Sequence, residues 1–523
     1  MAGSKQWAVQ LRNIAILLLV WEVVGRLDLI ADGALPGISE ILIGLWNDRS
    51  DYPLHVWETL KASGLGFVIG NLLGVVAGVF FVLIPVSLRV FRGLNIAIFA
   101  LPPIAIAPIL SLTLSGLTPR VVLAALGCYF VTMTATVIGL SQSDSRAADL
   151  IRVYGGGNWL IMRMVQCRSA LPSILSGLRV AAPNAVLGAI LAEFGGGGRW
   201  GLGAYLLGSL GRAEPERLWG IGVVATLIAG LAYGVFAVMS HRFVGASRAV
   251  TMNMSVPEKA GDGSSTPLSS LLAGAMAVLL PFLFWWAFIR LLEVPAMISK
   301  TPIGVVEYLF LSPAAQSAQE RLIAALWETL PITGIGLLCG LSFAFLLAIS
   351  SRLFPGFLRA FMPVALVTQT MPLVALTPLL VLLLGRGTSL TLWVTISVTF
   401  FPAFVILAQG ISMVPRATRE LAMAYGASAR QELRIITIPA SMPYLFAATR
   451  LTVPRALLGV MIAEWLATGK GLGNLLNQSR GYMDYGMIWT VAALSVILAV
   501  VFYQLVVVVE RRVLQRMGMS TAE

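Results

Sequence analysis

Charge is scarce in this chain. Only 11% of its 523 residues are Asp, Glu, Lys or Arg, where soluble proteins average about 25%, so there is too little charge to cover a soluble surface. Histidine and cysteine are rarer still. Two histidines, His55 and His241, and three cysteines, Cys128, Cys167 and Cys339, are too scattered for a metal set or a disulfide framework. Two histidines also leave no Ser/His/Asp or Cys/His set, and no paired carboxylates stand out in a loop. A phosphate-binding loop is missing as well: Gly469-Lys470 is followed by Gly471 and not by Ser or Thr, and Glu464 stands where the first glycine is needed. The expectation is a non-enzyme with no metal and no cofactor of its own.

What the chain has is apolar length. Apolar residues make up 58% and the mean hydropathy is +0.87, the composition of an integral membrane protein. The net charge of +12 sits in short basic clusters between apolar stretches. That is the positive-inside pattern and not a nucleic-acid footprint. Runs of about 20 apolar residues cross a bilayer as helices. Such spans are expected near 11–31, 57–84, 90–112, 119–141, 170–193 and 218–240, and again near 269–291, 327–350, 360–384, 388–411, 441–465 and 487–509. The first span is too long for a secretory signal and lacks a small-residue cleavage site, so it is expected to stay in the mature protein. Residues 245–268 lose apolar periodicity and gain Gly, Ser, Pro and charge, which reads as a linker. The division is 1–244, 245–268 and 269–523. With both termini in the cytoplasm, Arg89, Arg92, Arg146, Arg152, Arg163, Arg168, Arg242, Arg416, Arg419, Arg430, Arg434, Arg511 and Arg512 all fall on one side.

The two halves are copies. Trp57-Glu58-Thr59-Leu60 returns as Trp327-Glu328-Thr329-Leu330, and Pro102 and Pro108 return as Pro372 and Pro378, each 270 residues on. Tyr154-Gly155, Pro172, Arg179, Pro183, Gly188 and Glu193 return 271 residues on as Tyr425-Gly426, Pro443, Arg450, Pro454, Gly459 and Glu464. Gly201-Leu202-Gly203 falls back to 270 at Gly471-Leu472-Gly473, because Trp200 is an extra residue. A register kept over this length marks a duplicated module. Six spans per copy make the copies parallel, with a pathway between them and no inverted repeat. The fold class is therefore an all-α membrane protein of two tandem six-helix modules.

One loop carries a spaced motif. Between the fourth and fifth spans of the second copy stand Glu420-Leu421-Ala422, three residues, Gly426, nine residues, and Ile436-Thr437-Ile438-Pro439. This resembles the permease subunits of binding-protein-dependent ABC importers, whose hallmark is Glu-Ala-Ala, three residues, Gly, nine residues, Ile-x-Leu-Pro. Leu421 and Ile438 are conservative departures. Two short helices with a turn at Gly426 are expected, glycine permitting a backbone that a side chain would block. In the first copy Asp149 replaces Glu420, Gly155 is kept and followed by Gly156 and Gly157, Val165 stands for Ile436, and Arg168 for Pro439. That loop is expected to be softer. The stretch from Arg450 to Gly473 looks like the subfamily importing sulfonates, taurine, nitrate and related solutes, with Asn184 in the first copy where Arg455 stands in the second. The resemblance implies a translocation pathway in this chain, ATP bound only by two partner ATPase subunits, a periplasmic or lipid-anchored solute-binding protein, and an inner-membrane location. An ion-coupled transporter, or a scaffold derived from a permease, remains as the alternative.

Several residues carry two readings at once. Arg179, Arg450 and Arg455 in or near spans either line the pathway or pair structurally, since each costs about 2.5 to 3.5 kcal/mol on insertion. Glu193 and Glu464 either gate its outer mouth or anchor at the interface. Gln369, in the triplet Thr368-Gln369-Thr370, either lines the pathway or hydrogen-bonds between helices. The glycines at 195–198 read as a flexible outer loop.

Overall fold

Gly66, Gly70, Gly74 and Gly78 recur every fourth residue, which lays a ridge without side chains along one helix face and lets two membrane helices approach closely. The computed structural model describes residues 12, 15–16, 18–28, 34–196, 198–212, 214–244, 267–353 and 373–519. Its first module contributes α1 (Tyr52–Leu83), α2 (Arg92–Ala100), α3 (Pro103–Thr113), α4 (Thr118–Ser141), α5 (Ser145–Val153), α6 (Cys167–Gly196), α7 (Leu202–Ser209) and α8 (Pro215–Val244). The second contributes α9 (Pro267–Leu291), α10 (Ala315–Leu353), α11 (Leu373–Leu384), α12 (Thr388–Ser412), α13 (Arg416–Ala424), α14 (Ile438–Ala463), α15 (Gly471–Gly481) and α16 (Tyr485–Arg516). Further short helices lie in the connections. No strand occurs among the described residues.

The glycine ridge of α1 lies on α4. A Cβ added to Gly74 would stand 2.8 Å from the Tyr129 carbonyl oxygen, and one on Gly70 2.8 Å from Ala125 Cα. The second module repeats the ridge as Gly336, Gly340, Ala344 and Ala348 on α10 and sets it against α12, where a Cβ on Gly336 would meet Thr395 Cγ2 at 2.6 Å. Apolar solvent supplies no hydrophobic push between helices, so close packing of this kind carries their association.

Among the described residues nine helices are long and apolar enough to cross a membrane, and one bent pair brings the number to ten. The expected spans at 11–31 and 360–384 include residues outside the described set, as does nearly all of the linker. The chain is thus an all-α membrane protein of two tandem modules. One expected span needs correction: 90–112 is not a single rod but α2 and α3, bent by 97°. Pro102 and Pro103 sit at the bend and remove two adjacent backbone donors, which breaks the helix there. The glycines at 195–198 need correction too. α6 runs through Gly195 and Gly196, and Gly195 is buried with space for no more than hydrogen, since a Cβ would come 2.8 Å from Ala107 Cβ on α3. Gly195 and Gly196 are packing positions.

The modules meet along a reciprocal seam. α3 packs on α14, α15 and α16 of the other module, and α11 packs on α6, α7 and α8. α9, the first helix of the second module, lies against α2 of the first. The largest core cluster accordingly mixes the copies, with Ile104, Ile190 and Phe194 beside Leu457, Met461 and Leu476.

Candidate functional site

Each copy joins its fourth and fifth spans by the same device. In the second module α13 ends at Ala424, Tyr425 follows, and Gly426 takes φ +82°, with the Ala427 amide donating back to the Ala422 carbonyl at 3.0 Å. This is a helix stop that wants a left-handed residue, and glycine adopts it without strain. A short helix, Ala429–Glu432, and a π turn, Leu433–Thr437, then run directly into α14. The first module matches it: α5, Tyr154, Gly155 at φ +79°, the Gly156 amide donating to the Ile151 carbonyl at 2.8 Å, a helix Asn158–Ile161, a π turn Met162–Gln166, and α6. The π turn therefore forms with Arg168 as well as with Pro439.

The loops differ in their caps. Ser428 and Gln431 close a capping box, the Ser428 amide donating to Gln431 Oε1 at 2.8 Å and the Gln431 amide to the Ser428 hydroxyl at 3.3 Å. Gly157 occupies the Ser428 position and has no side chain to cap with. Conversely, Asp144 caps α5 by accepting from the Arg146 amide at 2.9 Å, whereas the cap position of α13 is held by Pro415, which cannot do so. Each cap is worth about 1 kcal/mol, so each loop secures a different one of its two helices. Asp149 is tied to Arg152 at 2.8 Å, while Met423 stands at the corresponding place beside Glu420. Glu420 is exposed, Ala422 and Ile436 are half-buried, and Leu421 is 59% exposed. Tyr154 and Tyr425 are 84% and 85% exposed at the two turns, with Val153 and Met423 beside them. Both turns thus present bare apolar side chains next to charge.

The two span-end carboxyls lie elsewhere, in a buried clasp that both modules share. The Thr59 hydroxyl donates to Glu193 Oε1 at 2.9 Å and accepts from the Leu202 amide at 2.9 Å, and Glu193 Oε2 accepts from the Gly203 amide at 2.9 Å. In the second module Thr329 donates to Glu464 Oε1 at 2.7 Å and accepts from Leu472 at 2.8 Å, and Glu464 Oε2 accepts from Gly473 at 2.9 Å. Glu193 is wholly buried and Glu464 is 2% exposed. Gly201 and Gly471 have positive φ and lie on these carboxyls, where any Cβ would overlap them. The clasp explains the Gly-Leu-Gly repeat: it ties Thr59 of α1 or Thr329 of α10 to the end of α6 or α14 and to the next short helix. Sequence reasoning missed the threonines as partners, although Thr59 and Thr329 sit inside the repeated quartet that defined the duplication.

The arginines separate. Arg450 Nη1 forms an ion pair with Glu510 on α16 at 3.0 Å, both about nine-tenths buried, and the Arg179 guanidinium stacks 4.2 Å over the Tyr233 ring on α8. Arg455, one turn along α14, is half-buried. Gln369 lies outside the described residues.

A family model for the inner membrane component of binding-protein-dependent transport systems matches residues 70–248 and 336–515, which is more than two thirds of the chain and falls once on each copy. The chain belongs to this transport family. Among its relatives, a probable ABC transporter permease protein of Haemophilus influenzae is 26% identical over 38% of this chain and 82% of its own length. The formylaminopyrimidine transport permease of Halalkalibacterium halodurans is 30% identical over 37% of this chain and 78% of its own. The riboflavin transport system permease of Chloroflexus aurantiacus is 32% identical over 29% of this chain and 57% of its own, little more than half of that protein. The permease family thus occurs twice in one membrane chain, and its relatives are transport permeases, not enzymes.

Proposed function

We propose that this chain is the complete membrane-spanning unit of an ATP-driven importer, with both permease modules fused. Two ATPase subunits dock on the loops 142–166 and 413–437 at the cytoplasmic face and hold all the ATP. A separate solute-binding protein delivers a small solute to the opposite face. ATP binding draws the loops together and its loss separates them, so that the seam between the modules opens to each side in turn. The observation that carries this reading is the paired loop: helix, left-handed glycine, helix and π turn, in the same place in both copies and tipped by exposed tyrosine. A rigid continuous run from the short helix through the π turn into α6 or α14 gives a docked partner a lever on the innermost span of each module.

The pathway belongs along that innermost span. Between residues 451 and 463 of α14 only Leu451, Arg455 and Leu458 keep partial access, and in the aligned stretch of α6 Val180, Asn184 and Leu187 do so, together with Pro183. These are stripes at i, i+4 and i+7. α14 packs against α10, α11, α12, α15 and α16 and against α3 of the first module, so an open stripe on it looks into space between helices. The sequence from Arg450 to Gly473 adds a sulfonate- and taurine-type character to the reading. The test is ATP-dependent uptake by the full-length chain together with its ATPase and binding protein: Gly426→Arg, or Glu420→Lys, should abolish uptake and the retention of the ATPase on that loop while the chain stays in the membrane. Normal uptake by both variants would remove the coupling assignment.

A further inference from the structure

We propose that Arg455 is an anion-selecting residue of the translocation pathway, so that the solute carries a carboxylate, sulfonate or phosphate group read by one module alone; this rests on the pathway reading above. Four arginines lie in α6 and α14, and three have an evident setting: Arg168 is exposed at the start of α6, Arg450 pairs with Glu510, and Arg179 lies over the Tyr233 ring. Arg455 has neither an ion pair nor a hydrogen bond among the described residues. Yet it stands well inside the 40-residue span Ala429–Thr468, 13 residues from its end.

A lone guanidinium in a membrane span is costly, and it persists where it faces water or a ligand. Arg455 has that outlet. Thr452, Ala456, Leu457, Val460, Met461 and Ile462 around it are at or near zero exposure, while Arg455 and its stripe neighbours retain access. Leu458, one turn further on, packs into the core cluster shared by both modules, as does its counterpart Leu187, which puts this stripe at the edge of the seam. A planar fork of five donors suits an oxyanion.

The asymmetry sharpens the assignment. Asn184 occupies the equivalent position in the first module and is neutral, its amide donating toward the Gly127 carbonyl at 3.4 Å. Among the described residues this aligned position therefore carries a fixed positive charge in the second module and none in the first. A single cation attracts a monoanion without holding it as two would, which favours passage over retention.

The probe is a pair of thiol reagents of similar size and opposite charge, sulfonatoethyl and trimethylammonioethyl methanethiosulfonate, applied to membranes holding the full-length chain with Cys128, Cys167 and Cys339 replaced by Ala. Leu458→Cys places a thiol about 5 to 6 Å from the Arg455 backbone position on the same face. The anionic reagent should react faster there, and Arg455→Gln should lower the anionic-to-cationic rate ratio about tenfold, a size expected for unit charges at this separation in a partly hydrated space. Arg455→Lys should keep the ratio, and Leu187→Cys beside Asn184 should show little charge preference. A Leu458→Cys thiol that neither reagent reaches would overturn the pathway placement itself. Reaction with an unchanged ratio after Arg455→Gln would leave the pathway standing and overturn anion selection.

Discussion

Thr329→Val is the substitution that best separates a structural clasp from a gate. It keeps the shape of the side chain and removes one hydroxyl, which donates to Glu464 at 2.7 Å and accepts from the Leu472 amide at 2.8 Å, all of them buried. The change leaves one buried N–H and one carboxyl oxygen without a partner. At about 1 to 3 kcal/mol for each orphaned group, the module loses about 2 to 6 kcal/mol. A loss of that size lowers the melting temperature of a unit of this length by roughly 10 °C. Thr329→Ser retains both bonds and should stay within about 1 kcal/mol of the parent. The assay is thermal unfolding of the full-length chain in detergent, with Glu464→Gln and the double variant completing a mutant cycle. Residues in one network should be coupled by more than about 0.5 kcal/mol. A Thr329→Val chain that melts with the parent, or a cycle that is simply additive, refutes the clasp. If Glu464→Gln then altered transport at unchanged stability, the gating role would take its place.

Two further outcomes follow from the loops and the topology. Gly155 and Gly426 share a positive φ, so an L residue costs each about 1 to 2 kcal/mol locally, but Gly156 and Gly157 give the first loop ways to relax that the Ser428–Gln431 box denies the second. Gly155→Arg should therefore reduce uptake and ATPase co-purification less than Gly426→Arg at equal expression, and a larger loss from the first loop would reverse the assigned dominance. Reporter fusions in the 245–268 linker and after Met517 should both behave as cytoplasmic; an external linker would break the six-plus-six arrangement.

The parts of this account that depend on neighbouring residues were legible in the sequence. Apolar runs mark spans because the bilayer tests each segment almost by itself, and the four-residue glycine spacing of α1 is a local pattern with a local consequence. The turn at Gly426 was readable for the same reason. The bend between α2 and α3 was written at Pro102 and Pro103 but was passed over inside a long apolar run. Pairing across the chain was not readable. Thr59 meets Glu193 across 134 residues and Arg450 meets Glu510 across 60, and nothing local to Glu193 distinguishes a clasped carboxyl from a gating one. The glycines at 195–198 misled because glycine marks both freedom and tight packing, and only the nearness of Ala107 decides between them.

The central claim is that one chain supplies both coupling surfaces of an importer. Native mass measurement of the full-length chain, purified in mild detergent from its own host with its ATPase, tests this most directly. One copy of this chain with two ATPase subunits is expected, falling to one ATPase when Gly426 is replaced by Arg. Two copies of this chain with two ATPases, or a chain that retains no ATPase at all, would contradict it.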